Sequence, residues 1–347
     1  MNARRGRPEL PKLGYGGGSL FPVSEERDAA SVLAYAYDRG FRYFDTAPLY
    51  ARGLSEHWFG AALRQHDRDD FVLSTKVGRR LRPKCSSPAP SDGLAFELSY
   101  AYSYDGTLRA LDDSLQRLGL CRVDIAYIHD VNPRWHGAEY ERRFDEAMRG
   151  AYPALERLRA EGVVRAIGVG VKGPDVCLRF ARAADFDCFM LAGGYTLLEH
   201  DEALEGLLPH CAHNGIGVVV ASPFNSGILA TGAVPGATFF YAEAPDAIVE
   251  RTKRLQAVCE RHRVPLGAAA LQFTLAHPAV VSAVCGYRTA REVDANLAWS
   301  TMPIPGELWR TLKTERLMAE HAPTPGGPVL APDVSPMHSR APNPRIE

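Results

Sequence analysis

The chain has 347 residues and a formal net charge of −1 at pH 7, with 46% hydrophobic and 23% charged residues. This length suffices for one large domain or two medium ones with a substantial core, and the composition is that of a globular protein. The near-neutral charge argues against nucleic acid or an anionic membrane as a partner.

Short apolar stretches typical of strands alternate with amphipathic stretches typical of helices along nearly the whole chain. Strands are predicted at residues 13–16, 42–45, 71–77, 124–129, 164–170, 186–191, 217–222 and 280–286. Helices are predicted at residues 24–40, 55–65, 104–119, 150–162 and 245–262. Eight strands, each followed by a helix, predict an α/β fold of the closed (β/α)8 TIM barrel type, with an open doubly wound sheet as the alternative.

The sequence is expected to form one domain in a reducing compartment. We expect residues 1–320 to form a single barrel and the Pro-rich residues 321–347 to form a tail that wraps the surface or is partly disordered. The N-terminus lacks the apolar segment of a secretory signal, and no apolar run reaches the roughly 20 residues of a membrane helix. Seven scattered cysteines favour a cytoplasmic location, with Cys121, Cys188 and Cys285 expected as buried thiols.

Three connections are too long to be minimal, at residues 78–103, 130–149 and 223–244. Each follows a predicted strand, so in a barrel all three lie at the C-terminal face, where substrate sites are built. Within the first, the aromatic-rich residues 96–106 either line a substrate pocket or pack the loop against the barrel.

Four polar residues lie at or just after the ends of predicted strands, namely Asp45, Tyr50, Lys76 and His129. In a parallel barrel these ends converge on one mouth, where Lys76 and Asp45 are expected to pair because either charge buried alone would be costly. An adjacent ammonium lowers the pKa of a tyrosine from its usual value of about 10, and a histidine can orient a substrate oxygen. Such a group moves a proton, so a redox reaction also needs a separate hydride carrier.

Five segments resemble the aldo-keto reductase superfamily in the expected order: FRYFDTAPLYARGLSEHWFGAAL, FVLSTKVGR, LRALDDSLQRLGLCRVDIAYIHD, LRAEGVVRAIGVG and ASPFNSGILA. The resemblance covers about residues 10–300 and implies a (β/α)8 barrel that uses a nicotinamide dinucleotide. It implies that Tyr50 is the catalytic acid and base, Lys76 modulates its pKa, Asp45 pairs with Lys76, and His129 orients the substrate.

The resemblance also implies how the cofactor lies across the barrel mouth. Gly286 and Arg288 would approach the adenosine ribose, and Asn296 would approach the adenine. Arg288 suits the 2′-phosphate of NADP, whereas Glu292 near the ribose suits the free hydroxyl of NAD. NAD and NADP therefore both remain open, with a slight preference for NAD.

Other cofactor contacts are implied around the same mouth. The loop after the seventh strand would follow the pyrophosphate and supply the cofactor-binding residues Ser222, Phe224, Ser226 and Gly227. Lys172 stands close to an expected asparagine after the fifth strand. Ala221 and Ala192 replace an aromatic residue and a glutamine of many relatives, so the residue that stacks on the nicotinamide stays open.

Residues 165–173, RAIGVGVKG, contain the spacing G-x-G-x-x-G of a dinucleotide-binding fingerprint. Such a fingerprint should open the first strand–helix unit of its domain and be followed by an acidic residue after the next strand. Four units precede this one, and Asp187 begins the next strand, so we interpret the match as coincidental. The closely spaced HCAH at residues 210–213 falls on a helix at the opposite barrel end, so no metal site is expected.

Several phrases most resemble the bacterial group of aldose 1-dehydrogenases, which includes L-fucose dehydrogenase and pyridoxal 4-dehydrogenase: YSYDG, RVDIAYIHDVN, GVGV and YTLLEH. The leading hypothesis is NAD(P)-dependent oxidation of the anomeric hydroxyl of an aldose, such as L-fucose or another D-threo-aldose, to a lactone. The alternatives are oxidation of pyridoxal, NADPH-dependent reduction of aldehydes or ketones, and a non-catalytic cofactor-sensing subunit. The expected partner is a small-molecule substrate, with the chain a monomer or small homo-oligomer.

Overall fold

The computed structural model of the chain describes residues 7–19, 26–84 and 93–327. Within these ranges the strands are β1 (Leu13–Gly16), β2 (Tyr43–Asp45), β3 (Val72–Pro83), β4 (Phe96–Ala101), β5 (Ile125–His129), β6 (Ala166–Val171), β7 (Cys188–Ala192), β8 (Gly217–Ala221), β9 (Thr238–Phe239), β10 (Ala242–Glu243) and β11 (Val280–Gly286). The α-helices of the same ranges are α1 (Glu26–Asp38), α2 (Leu54–Leu63), α3 (Tyr104–Leu118), α4 (Pro133–His136), α5 (Tyr140–Glu146), α6 (Tyr152–Ala160), α7 (Pro174–Ala183), α8 (Leu208–Asn214), α9 (Ile228–Thr231), α10 (Asp246–Arg261), α11 (Leu266–Ala276), α12 (Ala290–Thr301) and α13 (Gly306–Thr314).

Eight parallel strands form a closed barrel in the order β2, β1, β11, β8, β7, β6, β5 and β3, and pairing of β2 with β3 completes the ring. The predicted (β/α)8 barrel is confirmed, and the open doubly wound sheet is excluded by that closure. The register sets Asp45 of β2 opposite Ser74 of β3, and Lys76 of β3 opposite Tyr127 of β5. The ends of these strands thus bring the predicted polar residues to one mouth.

The long predicted connections contain regular structure. β3 runs to Pro83, past its predicted end at residue 77, because β4 returns antiparallel to it and takes up its backbone hydrogen bonds. The segment after β5 folds into α4 and α5, and the segment after β8 folds into α9 and the β9–β10 hairpin. These additions surround the C-terminal mouth.

Side chains fill the lower part of the barrel. Tyr43, Tyr127, Met190, Val219 and Val284 belong to a buried cluster inside the ring of strands. A second and larger cluster packs the strands against the surrounding helices. The interior is therefore a packed core, and the polar mouth lies above it.

The glycines of the segment RAIGVGVKG have local structural causes. A Cβ on Gly168 would collide with the carbonyl oxygen of Cys188 on the adjacent strand, so β6 requires glycine there for close packing. Gly173 has a φ of 106° and precedes α7, which suits glycine better than other residues. Asp187 accepts hydrogen bonds from Arg7 and Arg159 at the start of β7, at the opposite end of the barrel from the mouth.

Several smaller expectations can also be compared with the structure. Cys188 and Cys285 are buried as predicted, but Cys121 is exposed, because it lies in the turn between α3 and β5 rather than in either element. Of the helices in the described ranges, none is long and apolar enough to cross a bilayer. Residues 328–347, most of the predicted tail, lie outside the described part of the chain.

Candidate active site

The centre of the mouth is a buried ion pair between Lys76 and Asp45. Lys76 Nζ donates to Asp45 Oδ2 at 2.6 Å and to the carbonyl oxygen of Thr46 at 3.0 Å. Burial lowers the pKa of Lys76, but Asp45 and Tyr50 raise it by more, which leaves it at about 12. Lys76 is therefore a fixed cation at neutral pH.

Tyr50 lies against this cation on the turn after β2. The Lys76 ammonium is 4.6 Å from the centroid of the Tyr50 ring. Burial raises the pKa of Tyr50 to about 12, although Lys76 acts to lower it. Lys76 therefore has the lowering effect expected of it, but burial outweighs it and the net pKa lies above the usual value. The turn is strained, since Ala51 and Arg52 both have left-handed backbones, with φ of 47° and 48°.

His129 ends β5 and faces Tyr50 across the mouth. The two rings lie perpendicular, with centroids 6.0 Å apart. Burial, together with the charges of Lys76 and Arg79, holds the pKa of His129 well below its usual value, so the imidazole is neutral at pH 7. Its Nδ1 is buried and has no hydrogen-bond partner among the described residues. A neutral imidazole can either donate to or accept from a substrate oxygen.

Tyr102 supports His129 from behind. Its hydroxyl donates to the backbone carbonyl of His129 at 2.8 Å and lies 3.3 Å from Nε2 of His136. Tyr100, two residues earlier, is 41% exposed at the rim of the mouth. The aromatic segment at residues 96–106 therefore packs the loop against the barrel, and a role in lining a substrate pocket stays a prediction.

A chain of buried hydroxyl groups lies beneath Asp45, and the sequence analysis did not single it out. Ser74 Oγ donates to Asp45 Oδ1 at 2.6 Å and lies 3.2 Å from the Tyr43 hydroxyl, which lies 3.4 Å from that of Tyr127. The signal was available, because Ser74 precedes Lys76 by two residues and so shares its face of β3. Arg79 and Asp130, an ion pair beside His129, were missed as well.

The residues predicted to meet the adenosine gather at the start of α12. Arg288 donates to Glu292 through its backbone N–H at 2.7 Å, and its guanidinium lies 3.4 Å from the same carboxylate. Asn296 Nδ2 donates to the carbonyl of Glu292 at 2.9 Å, whereas its buried Oδ1 has no partner among the described residues. The Asn296 oxygen could accept a hydrogen bond from the amino group of an adenine, so these residues fit an adenine dinucleotide. Gly286 lies so close to Ser19 that any Cβ would collide with it.

The loop after β8 turns sharply, and several of its residues have left-handed backbones. Ser222, Asn225, Ser226 and Gly227 all have left-handed backbones, with φ of 58°, 47°, 61° and 107°. The N–H groups of Asn225 and Gly227 donate to the carbonyls of Ser222 and Phe224 at 3.1 and 3.0 Å, which closes the turn on itself. Ser226 Oγ accepts from the N–H of Tyr241 at 3.1 Å, which ties the loop to the β9–β10 hairpin.

Two further predicted cofactor residues contact aromatic rings. The ring of Phe224 packs against Trp299, with centroids 6.0 Å apart. Lys172 follows β6, and its Nζ lies 2.7 Å from the centroid of Phe240 at the hairpin tip. Burial lowers the pKa of Lys172 to about 8, although Glu199 acts to raise it. Within the described ranges, no group of three or more potential metal ligands occurs.

Comparison with known proteins gives one family match. The model of the aldo/keto reductase family matches residues 12–314. The chain is 42% identical over 331 residues to D-threo-aldose 1-dehydrogenase of Pseudomonas sp, an alignment that covers 91% of this chain and 96% of that protein. It is 40% identical over 317 residues to pyridoxal 4-dehydrogenase of Microbacterium luteolum, covering 87% of this chain and 92% of that protein.

Solved structures agree on the architecture. The holo form of an aldo-keto reductase from Bacillus halodurans superimposes with a TM-score of 0.69 at 26% sequence identity, covering 89% of this chain and 92% of that one. The (β/α)8 barrel is therefore a fold that this chain shares with solved aldo-keto reductases.

Proposed function

The chain belongs to the aldo/keto reductase family, and we propose that it oxidises the anomeric hydroxyl of an aldose to a lactone with NAD as the hydride acceptor. The chain is an oxidoreductase that acts on CH–OH groups and uses a nicotinamide dinucleotide, which sets aside the non-catalytic cofactor-sensing alternative. The observation that carries the proposal is the buried Lys76–Asp45 ion pair against Tyr50, with neutral His129 opposite.

Tyr50 is the proton-transfer residue in this proposal. In its phenolate form, Tyr50 takes the proton of the anomeric hydroxyl while the C–H bond at the same carbon breaks and its electron pair leaves as hydride, so the hemiacetal becomes a lactone. The bound nicotinamide supplies the acceptor for the hydride. Lys76 favours the phenolate form of Tyr50, and Asp45 holds Lys76 in place. His129, uncharged at pH 7, orients the substrate oxygen through a hydrogen bond.

The preference for NAD rests on Glu292. Its carboxylate accepts from the backbone N–H of Arg288 and pairs with the Arg288 guanidinium. A 2′-phosphate near Arg288 would meet this carboxylate and be repelled, whereas a free ribose hydroxyl can donate to it. The arrangement supports a role for Arg288, Glu292 and Asn296 at the adenosine. The loop of Ser222, Phe224, Ser226 and Gly227 is proposed to follow the pyrophosphate.

Pyridoxal is a second candidate substrate, favoured by the similarity to pyridoxal 4-dehydrogenase. Its cyclic hemiacetal would lose a proton and a hydride in the same way, so the Tyr50 cluster serves both substrates. The rim of the mouth, and not the cluster, must discriminate between them.

A cofactor-reduction screen tests the proposed function. Monosaccharides and pyridoxal are offered with NAD and with NADP in parallel, and the product is identified as a lactone by mass spectrometry. We expect the highest kcat/KM with an aldose and NAD. Turnover confined to NADPH-dependent reduction of aldehydes, with no lactone formed from any sugar, would overturn the proposal.

A further inference from the structure

A second ion pair lies at the mouth, between Arg79 and Asp130. Arg79 Nη2 is 3.0 Å from Asp130 Oδ2, and the two side chains are 7% and 14% exposed. The same carboxylate oxygen is 3.5 Å from Nε2 of His129. The pair therefore adjoins the point where a substrate oxygen would meet His129.

The backbone at Asp130 is bent toward this position. Successive residues of a strand face opposite sides, so an extended chain would turn Asp130 away from the side that His129 occupies. Asp130 instead has a left-handed conformation, with φ of 53°, and its N–H donates to the carbonyl of Gly170 at 3.0 Å. Left-handed conformations of non-glycine residues concentrate at functional sites.

Two buried donors beside the pair are unused. Arg79 Nε and Asn132 Nδ2 have no hydrogen-bond partner in the part of the chain that the structure describes. The orientation of the Asn132 amide is set by its oxygen, which accepts from the N–H of Trp135 at 3.2 Å. Buried donors without partners and buried ion pairs are poor sources of stability. A ligand that accepts hydrogen bonds would satisfy these donors.

Exposed aromatic rings stand next to the same guanidinium. The Arg79 carbon Cζ is 5.3 Å from the ring centroid of Trp135 and 5.5 Å from that of Tyr100. The two residues are 50% and 41% exposed, so both rings are open to a ligand beside the Arg79 charge. A sugar presents hydroxyl groups at its edge and an apolar C–H face, which matches charged groups beside exposed rings.

We propose that Arg79 and Asp130 bind the hydroxyl group adjacent to the reacting hydroxyl of a sugar ring, and so determine specificity for polyhydroxylated hemiacetals. That hydroxyl donates its hydrogen to the Asp130 carboxylate and accepts from Arg79 or Asn132. The inference rests on the proposed function, because it takes His129 as the residue that faces the reacting hydroxyl.

The test compares one sugar with its analogue lacking the adjacent hydroxyl. The kcat/KM values for D-arabinose and 2-deoxy-D-ribose are measured with NAD for the wild type and for Asp130→Asn. We expect Asp130→Asn to lower kcat/KM for D-arabinose by about 100-fold and for 2-deoxy-D-ribose by less than about threefold. A general disturbance of the fold would lower both values together.

Two further variants make the comparison secure. Asp113→Asn breaks the neighbouring pair with Arg80, which has a 2.8 Å contact but is more exposed, and it should leave the ratio of the two sugars unchanged. The double variant Arg79→Met with Asp130→Leu removes both charges, so no buried charge is left unpaired if Asp130→Asn fails to fold. It should also lose the preference for D-arabinose.

The possible outcomes distinguish failure of this inference from failure of the proposed aldose oxidation. Equal losses for both sugars, or no loss for either, in the folded variants would overturn the role of Arg79 and Asp130 while leaving aldose oxidation intact. If none of the aldoses tested supports cofactor reduction by the wild type, the proposed function is overturned, and this inference is overturned with it.

Discussion

At the scale of single residues, the behaviour of the site depends on how Asp45 is held. Its two oxygens accept separately from Lys76 and Ser74, both at 2.6 Å. Burial raises the pKa of Asp45, and both hydrogen bonds act against that shift. Ser74 therefore acts through Asp45 as a positioning residue, although it touches neither Tyr50 nor the mouth.

Ser74→Ala tests this role. Loss of the donor should raise the pKa of Asp45, which moves the acid limb of the kcat/KM profile to higher pH, and should lower the free energy of unfolding by about 1–3 kcal/mol. Ser114→Ala is the control, because Ser114 is also buried and accepts from Arg117 at 3.1 Å on α3. An acid limb that stays in place in Ser74→Ala would refute the positioning role.

Residues at strand ends could be predicted because a parallel barrel brings those ends together whatever the loops do. Asp45, Lys76 and His129 needed only that argument. Arg79 and Asp130 could not be found in the same way, because Arg79 lies in the extension of β3 and Asp130 faces the mouth only through its left-handed backbone. The effect of Lys76 on the pKa of Tyr50 could be predicted, but the larger and opposing effect of burial could not, because burial depends on how the mouth is packed.

At the scale of elements, the start of α12 sets the cofactor preference in our proposal. Thr289 caps the helix by accepting from the backbone N–H of Glu292 at 3.3 Å, which holds the backbone from which the Glu292 side chain extends. The Glu292 carboxylate then accepts hydrogen bonds from both the backbone N–H and the guanidinium of Arg288. A change of one charge at this helix start should therefore alter cofactor choice without disturbing the barrel.

Glu292→Gln should raise the affinity for NADP relative to NAD by about tenfold, because it removes the repulsion of a 2′-phosphate and releases Arg288. Dissociation constants from fluorescence titration of both cofactors give this ratio. Glu307→Gln, which removes an acidic residue from the first turn of α13 beside Arg310, is the matched control. An unchanged ratio in Glu292→Gln would remove Glu292 from the account of cofactor choice.

The boundaries of strands that pair only with other barrel strands were predicted accurately. β1 and β11 begin and end at their predicted residues. The extension of β3 and the β9–β10 hairpin were missed, because both depend on pairing with a returning segment. At the hairpin tip, Phe240 and Tyr241 both have positive φ, where Asn or Gly would be expected, so the sequence carries no turn signal there.

At the scale of the whole molecule, buried histidines couple stability to pH. His277 follows α11, and its Nδ1 accepts from the N–H of Ala279 at 3.1 Å. Burial lowers the pKa of His277 to about 4, below the value of about 6.5 expected in the unfolded chain. Its contribution to stability is therefore complete above about pH 6.5 and is lost as the pH falls toward about 4.

His277→Asn should remove most of this dependence, since the Asn oxygen can still accept from Ala279 but does not titrate. Between about pH 7 and about pH 5, the wild type should lose about 2 kcal/mol more unfolding free energy than the variant, with effects common to both proteins cancelling. Urea denaturation at the two pH values measures the difference. Parallel losses in the two proteins would contradict the assignment.

The central claim is that Tyr50 moves the proton in a nicotinamide-dependent oxidation, and Tyr50→Phe tests it most directly. Turnover of the best aldose from the screen is measured together with the dissociation constant of the cofactor. The account predicts a fall in kcat of about 100-fold to 10,000-fold. Cofactor binding should stay within about twofold of the wild type, because the ring and its packing remain. Turnover of Tyr50→Phe within about tenfold of the wild type would contradict the account.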